Sequence, residues 1–204
     1  MAMVCELTFD REQLKDKIRT TYGRVAEQPD GDFHFHRGPE YAAAALGYDR
    51  AELDELPDFV TAPFAGVGNP FLAGTLPIGA RVIDLGSGSG MDCLLAGRRV
   101  GQQGEVVGFD MTDAMLDKAR AGATAAGMKQ VRFEKADISR LPIDDGSVDV
   151  AISNGVINLS PEKSQVFAEL YRVLRHGGRV QFADIVIETE LSAAALNDIE
   201  LWVG

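Results

Sequence analysis

Val82-Ile83-Asp84-Leu85-Gly86-Ser87-Gly88-Ser89-Gly90 decides the fold. A short apolar run leads into three alternating glycines, and Met91 to Val100 after them has the pattern of a helix. A buried strand that turns through glycines into a helix is the opening unit of an α/β sheet. The glycines permit a tight turn and let a ligand approach the backbone. Dinucleotide enzymes use a related loop, so the glycines alone do not name the ligand. Two residues narrow it. The pattern G-x-G-x-x-G needs glycine at position 91, where Met91 stands, and Asp84 lies two residues before the first glycine. A carboxylate there repels a pyrophosphate and suits a ligand that carries an ammonium and a sulfonium.

Downstream of this loop, strand and helix patterns alternate. Strands are expected at Glu105 to Asp110, Val131 to Lys135, Val148 to Asn154 and Arg179 to Ile187. Helices are expected from a Thr112 cap to about Ala126, from Pro161 to Leu174 with Gly177-Gly178 ending it, and over Leu191 to Trp202. Such alternation implies a mostly parallel sheet with right-handed crossovers. Upstream, residues 1–79 differ. Asp10 caps a helix whose stripe is Leu14, Ile18, Tyr22 and Val25, a second helix covers Pro39 to Leu46, and Asp49 with Glu52 opens a third. Phe64 to Pro70 is a glycine-rich loop. The fold class is therefore a doubly wound, mostly parallel α/β sheet over residues 80–204, with a helical N-terminal extension over 1–79.

Acidic residues recur where the sheet should end. Asp110 closes the second strand, where a ribose diol finds its acceptor. Asp137 follows the third strand and can accept from an adenine amino group while Ile138 packs on the ring. With Asp84, three successive strands each carry a carboxylate at the carboxyl end, the place where open α/β sheets bind ligands.

Composition sets wider bounds. The 204 residues suit one domain, with 46% hydrophobic and 25% charged residues. The excess of 31 Asp+Glu over 20 Lys+Arg gives a net charge of −11. A negative surface repels phosphate backbones, so nucleic acid is not an expected partner. No apolar run reaches the length of a membrane span, no basic segment opens the chain, and Cys5 and Cys93 are too few for a disulfide framework. A cytoplasmic monomer or homodimer acting on a small molecule is the expectation.

The chain resembles the class I S-adenosylmethionine methyltransferases from about Gly68 to Trp202, and within them the arsenite methyltransferase branch. The stretches that carry the resemblance are Gly68-Asn69-Pro70, Asp84 to Gly90 with Asp92-Cys93, Asp110-Met111-Thr112, Ser153-Asn154-Gly155-Val156-Ile157-Asn158-Leu159-Ser160-Pro161, and Arg172 to Gly178. The resemblance implies S-adenosylmethionine as cofactor, with contacts at Tyr22, Gly23, Gly86, Asp110, Met111, Asp137, Ile138 and Asn154. The residue reading adds Asp84, Gly88 and Gly90. In that branch cysteine thiolates hold trivalent arsenic. Two of them would fall where this chain has Val67 and Gly155, and a third would follow the Trp202 region. Cys93 also has a counterpart in the branch and reads as core packing; Cys5 reads as a mobile terminal residue. The resemblance further implies two strands after the fifth. The residues after Ile187 have a helical pattern instead, so the chain is expected either to be shortened or to have its open sheet edge covered by another subunit.

An oxygen or nitrogen acceptor also needs a base. The candidates are His34, His36 and Glu40, and the catalytic expectation rests on His34 and His36, whose alternation places them on one face of an extended segment. Two histidines alone do not make a metal site, and none is expected. The N-terminal segment is expected to act as a lid, His176 to satisfy the carbonyls of a helix end, and Trp202 either to pack in the core or to line the acceptor pocket. Three functions stay open: a methyltransferase for an unidentified small molecule, an arsenite methyltransferase that uses external thiols, and a cofactor-binding module without turnover.

Overall fold

A computed structural model describes residues 10–188, 192, 195 and 198–203. Five strands form one sheet: β1 (Arg81–Leu85), β2 (Glu105–Asp110), β3 (Val131–Lys135), β4 (Val148–Asn154) and β5 (Leu174–Ala183). Their spatial order is β3-β2-β1-β4-β5 and every pairing is parallel. The order reverses between β1 and β4, the topological switch point beside which such sheets bind ligands.

Both faces of the sheet are buried, as the apolar strand sequences require. Val82, Val106, Val131, Val150 and Ile152 point to one face, where they pack under α5 (Met91–Val100) and α6 (Asp113–Ala125). Ile83, Leu85, Val107, Phe109 and Ala151 point to the other, against α7 (Lys163–Val173). Of the N-terminal helices α1 (Arg11–Glu27), α2 (Gly38–Leu46), α3 (Arg50–Asp54) and α4 (Asp58–Thr61), α1 packs in two smaller clusters, through Leu14 and Ile18 with Leu159 and Val203 and through Val25 and Ala26 with Met115. Ala42, Tyr48, Leu53, Leu56 and Val60 join the first-face cluster directly. Asp10 caps α1 by accepting from the Glu12 amide at 2.8 Å, and Asp49 caps α3 by accepting from Ala51 at 2.8 Å.

Three local expectations need correction. The fifth strand starts at Leu174 and ends at Ala183, not at Ile187, because its pairing stops at Asn154↔Ala183, where β4 itself ends. Pairing also skips from Val148↔Leu174 to Val150↔Arg179, so the chain bulges at Gly177, whose φ is 81°. Gly177-Gly178 is thus inside a strand, and His176 lies there too, past a helix that ends at Val173. Thr112 occupies the cap position of α6, but its side chain makes no cap bond; the Asp110 carboxylate accepts from the Thr112 amide at 2.8 Å instead. Of the last expected helix, the described part is α8 (Ile199–Val203). Trp202 there packs with Leu14, Ile18, Leu159 and Val203 against α1, the first of its two expected roles. Leu191 and Cys5 lie outside the described residues.

Candidate active site

The carboxyl ends of β1 to β4 open into a cleft roofed by Lys15, Ile18 and Tyr22 of α1. Their spacing of three and four puts all three on one helix face. Of the residues expected at a cofactor, Tyr22, Asp84, Gly86, Gly88, Asp110, Met111, Asp137, Ile138 and Asn154 line this cleft. Gly23 and Gly90 do not. A Cβ built on Gly23 meets nothing within 4 Å, whereas one on Gly90 lies 2.7 Å from Phe133 Cζ and 3.0 Å from Ala119 Cβ. Gly90, at φ 92°, serves the packing of α5 on α6 and β3, not ligand approach.

Asp110 is held from two sides. Its Oδ2 accepts from the Gly88 amide at 2.9 Å and its Oδ1 from Thr112. Burial raises its pKa and these backbone donors oppose that rise. Asp137 sits at the opposite pole of the electrostatics. Burial pushes its pKa up, but Lys15 Nζ at 2.7 Å and the Ser139 hydroxyl and amide outweigh it, and the group lies below its ordinary value.

At the β1 end the cleft is acidic and dry. Asp84 is 2% exposed and accepts from the Cys93 thiol at 3.2 Å. Burial, then the neighbouring Asp92, hold its pKa well above the carboxylate range. Cys93 therefore packs in the core and also donates to the site. Asp92 lines the cleft as well. Burial lifts it to about 6, against the opposing hydrogen bonds from Tyr48 Oη (2.7 Å) and Asn154 Nδ2 (3.1 Å). Asp92 stands in the Asp92-Cys93 stretch that carries the family resemblance, but neither the residue pattern nor the resemblance gives it a role at the site. Its position in the first turn of a helix is ordinary, and its partner Tyr48 lies 44 residues away.

Asn154 is a clasp. Its Oδ1 accepts from the Val67 and Gly68 amides at 2.8 and 3.1 Å, while its Nδ2 donates to Gly68 O, Tyr48 Oη and Asp92. It thereby pins the loop Phe64 to Pro70 beside the cleft. A Cβ on Gly66 would lie 2.4 Å from Asn154 Nδ2, so that close approach needs glycine. Past the clasp the wall is apolar: Pro63, Phe64, Ala65, Gly66, Val156 and Leu159. Gly155 lines the cleft as well, and Val67 stands behind it, with a Cβ built on Gly155 3.1 Å from Val67 Cγ1.

His34 and His36 are both exposed and neither lines the cleft. The alternation is real, but the inward face belongs to Phe33 and Phe35, which pack with Tyr22, Val25 and Met115. Aromatic rings take the buried side of the segment because they gain more from leaving water than imidazoles do. His36 instead stacks on Tyr41 with ring centroids 5.0 Å apart. Among the described residues no cluster of His, Cys, Asp and Glu suits a metal ion.

The lining fits a cationic nucleoside ligand. Gly86 and Gly88 hold left-handed φ of 70° and 52°, and a Cβ on Gly86 would lie 2.4 Å from Val156 Cγ2, so the turn at the cleft needs glycine. Ser87 Oγ in that loop is buried without a hydrogen-bond partner. Such an atom costs about 1–3 kcal/mol unless something satisfies it. Two buried carboxylates side by side are likewise stabilised by a cation between or beside them.

Comparison with known proteins agrees with this chemistry. A methyltransferase-domain family model matches residues 78–202. An arsenite methyltransferase from Halobacterium salinarum is 45% identical over 190 residues, 87% of this chain and 48% of that protein. An arsenite methyltransferase from Mus musculus is 30% identical over 95% of this chain and 53% of its own length. Among solved structures, that of an arsenic(III) S-adenosylmethionine methyltransferase from Chlamydomonas reinhardtii matches with a TM-score of 0.64 at 39% identity, covering 72% of this chain and 51% of that one. The chain thus spans about half the length of the curated relatives it matches.

Proposed function

This chain belongs to the family of S-adenosylmethionine-dependent methyltransferase domains, and we propose that it transfers the methyl group of that cofactor to a small molecule seated against the apolar wall. The observation that carries the reading is the convergence of Asp84, Asp110 and Asp137 from three strand ends on one cleft, with the glycine loop between them. In this assignment Asp110 accepts from the ribose diol, Ile138 packs on the adenine and Asp137 accepts from its amino group. Asp84 and Asp92 face the cationic methionine end.

The bound cofactor supplies an activated methyl group on a sulfonium. The chain's own contribution is placement. Asn154 fixes the loop that forms the acceptor wall, α1 roofs the cleft, and the apolar lining keeps water from the transfer path. Alignment of this kind supplies roughly 7–11 kcal/mol in favourable cases. Residues 1–79 act as the cover and 80–204 as the cofactor-binding part. The histidines at 34 and 36 have no part in it.

The names of the relatives favour a second reading, in which the acceptor is arsenite. The positions given to thiolates in that branch are adjacent here, but Val67 and Gly155 bring no sulfur. Soft trivalent arsenic needs soft ligands, so this reading requires thiols delivered with the metalloid, such as glutathione. A third reading, a cofactor-binding module without turnover, predicts binding and no methylated product. Turnover with labelled cofactor, assayed with and without arsenite plus glutathione, separates the three. Product that depends on arsenite supports the second, and product only with other acceptors supports the first.

A further inference from the structure

The segment between α1 and α2 has no regular secondary structure over residues 28–37, yet it is closely tied. Arg37 ties it. Its Nε donates to Pro29 O at 2.9 Å, its Nη1 to Phe35 O at 3.1 Å and its Nη2 to Gly31 O at 2.7 Å. A planar fork that spends three donors on three carbonyls of one short loop sets the shape of that loop. The same guanidinium lies 4.2 Å from the Phe33 ring centroid and 5.8 Å from that of Phe35. Phe33 and Phe35 are 5.6 Å apart, and Phe35 stacks on Tyr22 at 5.8 Å with an interplanar angle of 18°. Tyr22 lines the cleft near Asp110. An unbroken run of contacts therefore leads from Arg37 to the wall of the cleft.

We infer that Arg37 is a positioning residue for the nucleoside half of the cofactor, acting through Phe35 on the ring of Tyr22. The inference rests on the proposed cofactor site. The helix fixes the backbone of Tyr22 but leaves its side chain a choice of rotamers. The Phe35 ring, laid nearly parallel against it, selects one. Phe35 in turn is set in its packing against Val25 and Met115 by the loop that Arg37 closes. The period-two pattern of Phe33, His34, Phe35 and His36 is thereby explained: the rings buttress Tyr22 and the imidazoles face solvent.

The test is calorimetric binding of S-adenosylmethionine and of 5′-methylthioadenosine, which keeps the nucleoside and lacks the amino acid. Arg37→Met is expected to weaken both by the same factor, about tenfold. Phe35→Leu, which leaves the Arg37 hydrogen bonds in place, is expected to do likewise while thermal unfolding stays cooperative. On a Tyr22→Leu background Arg37→Met is expected to add nothing. Full additivity there, or a loss for S-adenosylmethionine not shared by 5′-methylthioadenosine, overturns the positioning role. If the unaltered chain binds both ligands and both single variants match it, the positioning role alone falls. If the unaltered chain binds neither ligand, the cofactor reading falls and the role falls with it.

Discussion

Asp92→Asn will make the cofactor-free protein more stable at pH 8 and a poorer binder of S-adenosylmethionine. The folded structure holds the Asp92 carboxyl at about 6 against an ordinary 3.8. The folded state therefore binds this proton more tightly than the unfolded chain. The associated stability is complete below pH 3.8 and is lost as pH rises through about 6. The gap of about two pH units is worth about 3 kcal/mol at pH 8. Asparagine removes that charge but can no longer accept from both Tyr48 and Asn154, which costs about 1 kcal/mol. The net gain of about 2 kcal/mol corresponds to a rise of roughly 4–8 °C in Tm for a chain of this size. Thermal unfolding of both proteins at pH 8 and pH 5 is the assay. About half of the 3 kcal/mol electrostatic difference is gone by pH 5, where the native aspartate is largely protonated. Calorimetry at pH 8 then reports binding, expected to weaken about 10–100-fold for the loss of a charge-assisted contact. A variant destabilised at pH 8, or a Tm shift equal at the two pH values, would refute the assignment of Asp92 as a buried, unneutralised acid.

Two further outcomes follow from the site. His34→Ala and His36→Ala, tested singly on any accepted substrate, leave kcat/KM within about twofold, as exposed positions away from the cleft do; a hundredfold loss from either would restore a catalytic role to that segment. Gly90→Ala, measured by urea unfolding and by calorimetry, loses about 1–3 kcal/mol through its left-handed φ and the Phe133 contact, while the Kd of the folded fraction for S-adenosylmethionine changes little. A normal stability with lost binding would return Gly90 to the ligand.

The sheet was legible because its signals are local. Val82 to Gly90 carries strand, turn and helix in one stretch, and β2 to β4 fall at the residues expected from their apolar runs. Strand β5 was misplaced at both ends because its limits depend on β4: pairing holds Leu174 and stops at Ala183. The acids at 84, 110 and 137 were legible by position, since a strand end in this topology faces the cleft whatever the residue. Asp92, Asn154 and Lys15 owe their roles to partners 44 to 122 residues away. The histidine segment misled because period-two alternation names two faces and not which of them is buried. Phe33 and Phe35 carried that information, since the larger apolar rings take the inside.

The most direct test of the account is a calorimetric titration of the chain with S-adenosylmethionine, repeated with Asp110→Ala. The account predicts micromolar binding by the unaltered chain, weakened at least about 100-fold when the ribose acceptor is removed, each charge-assisted hydrogen bond being worth about 1.5–3 kcal/mol. Equal binding by the two proteins, or none by the unaltered chain, would contradict it.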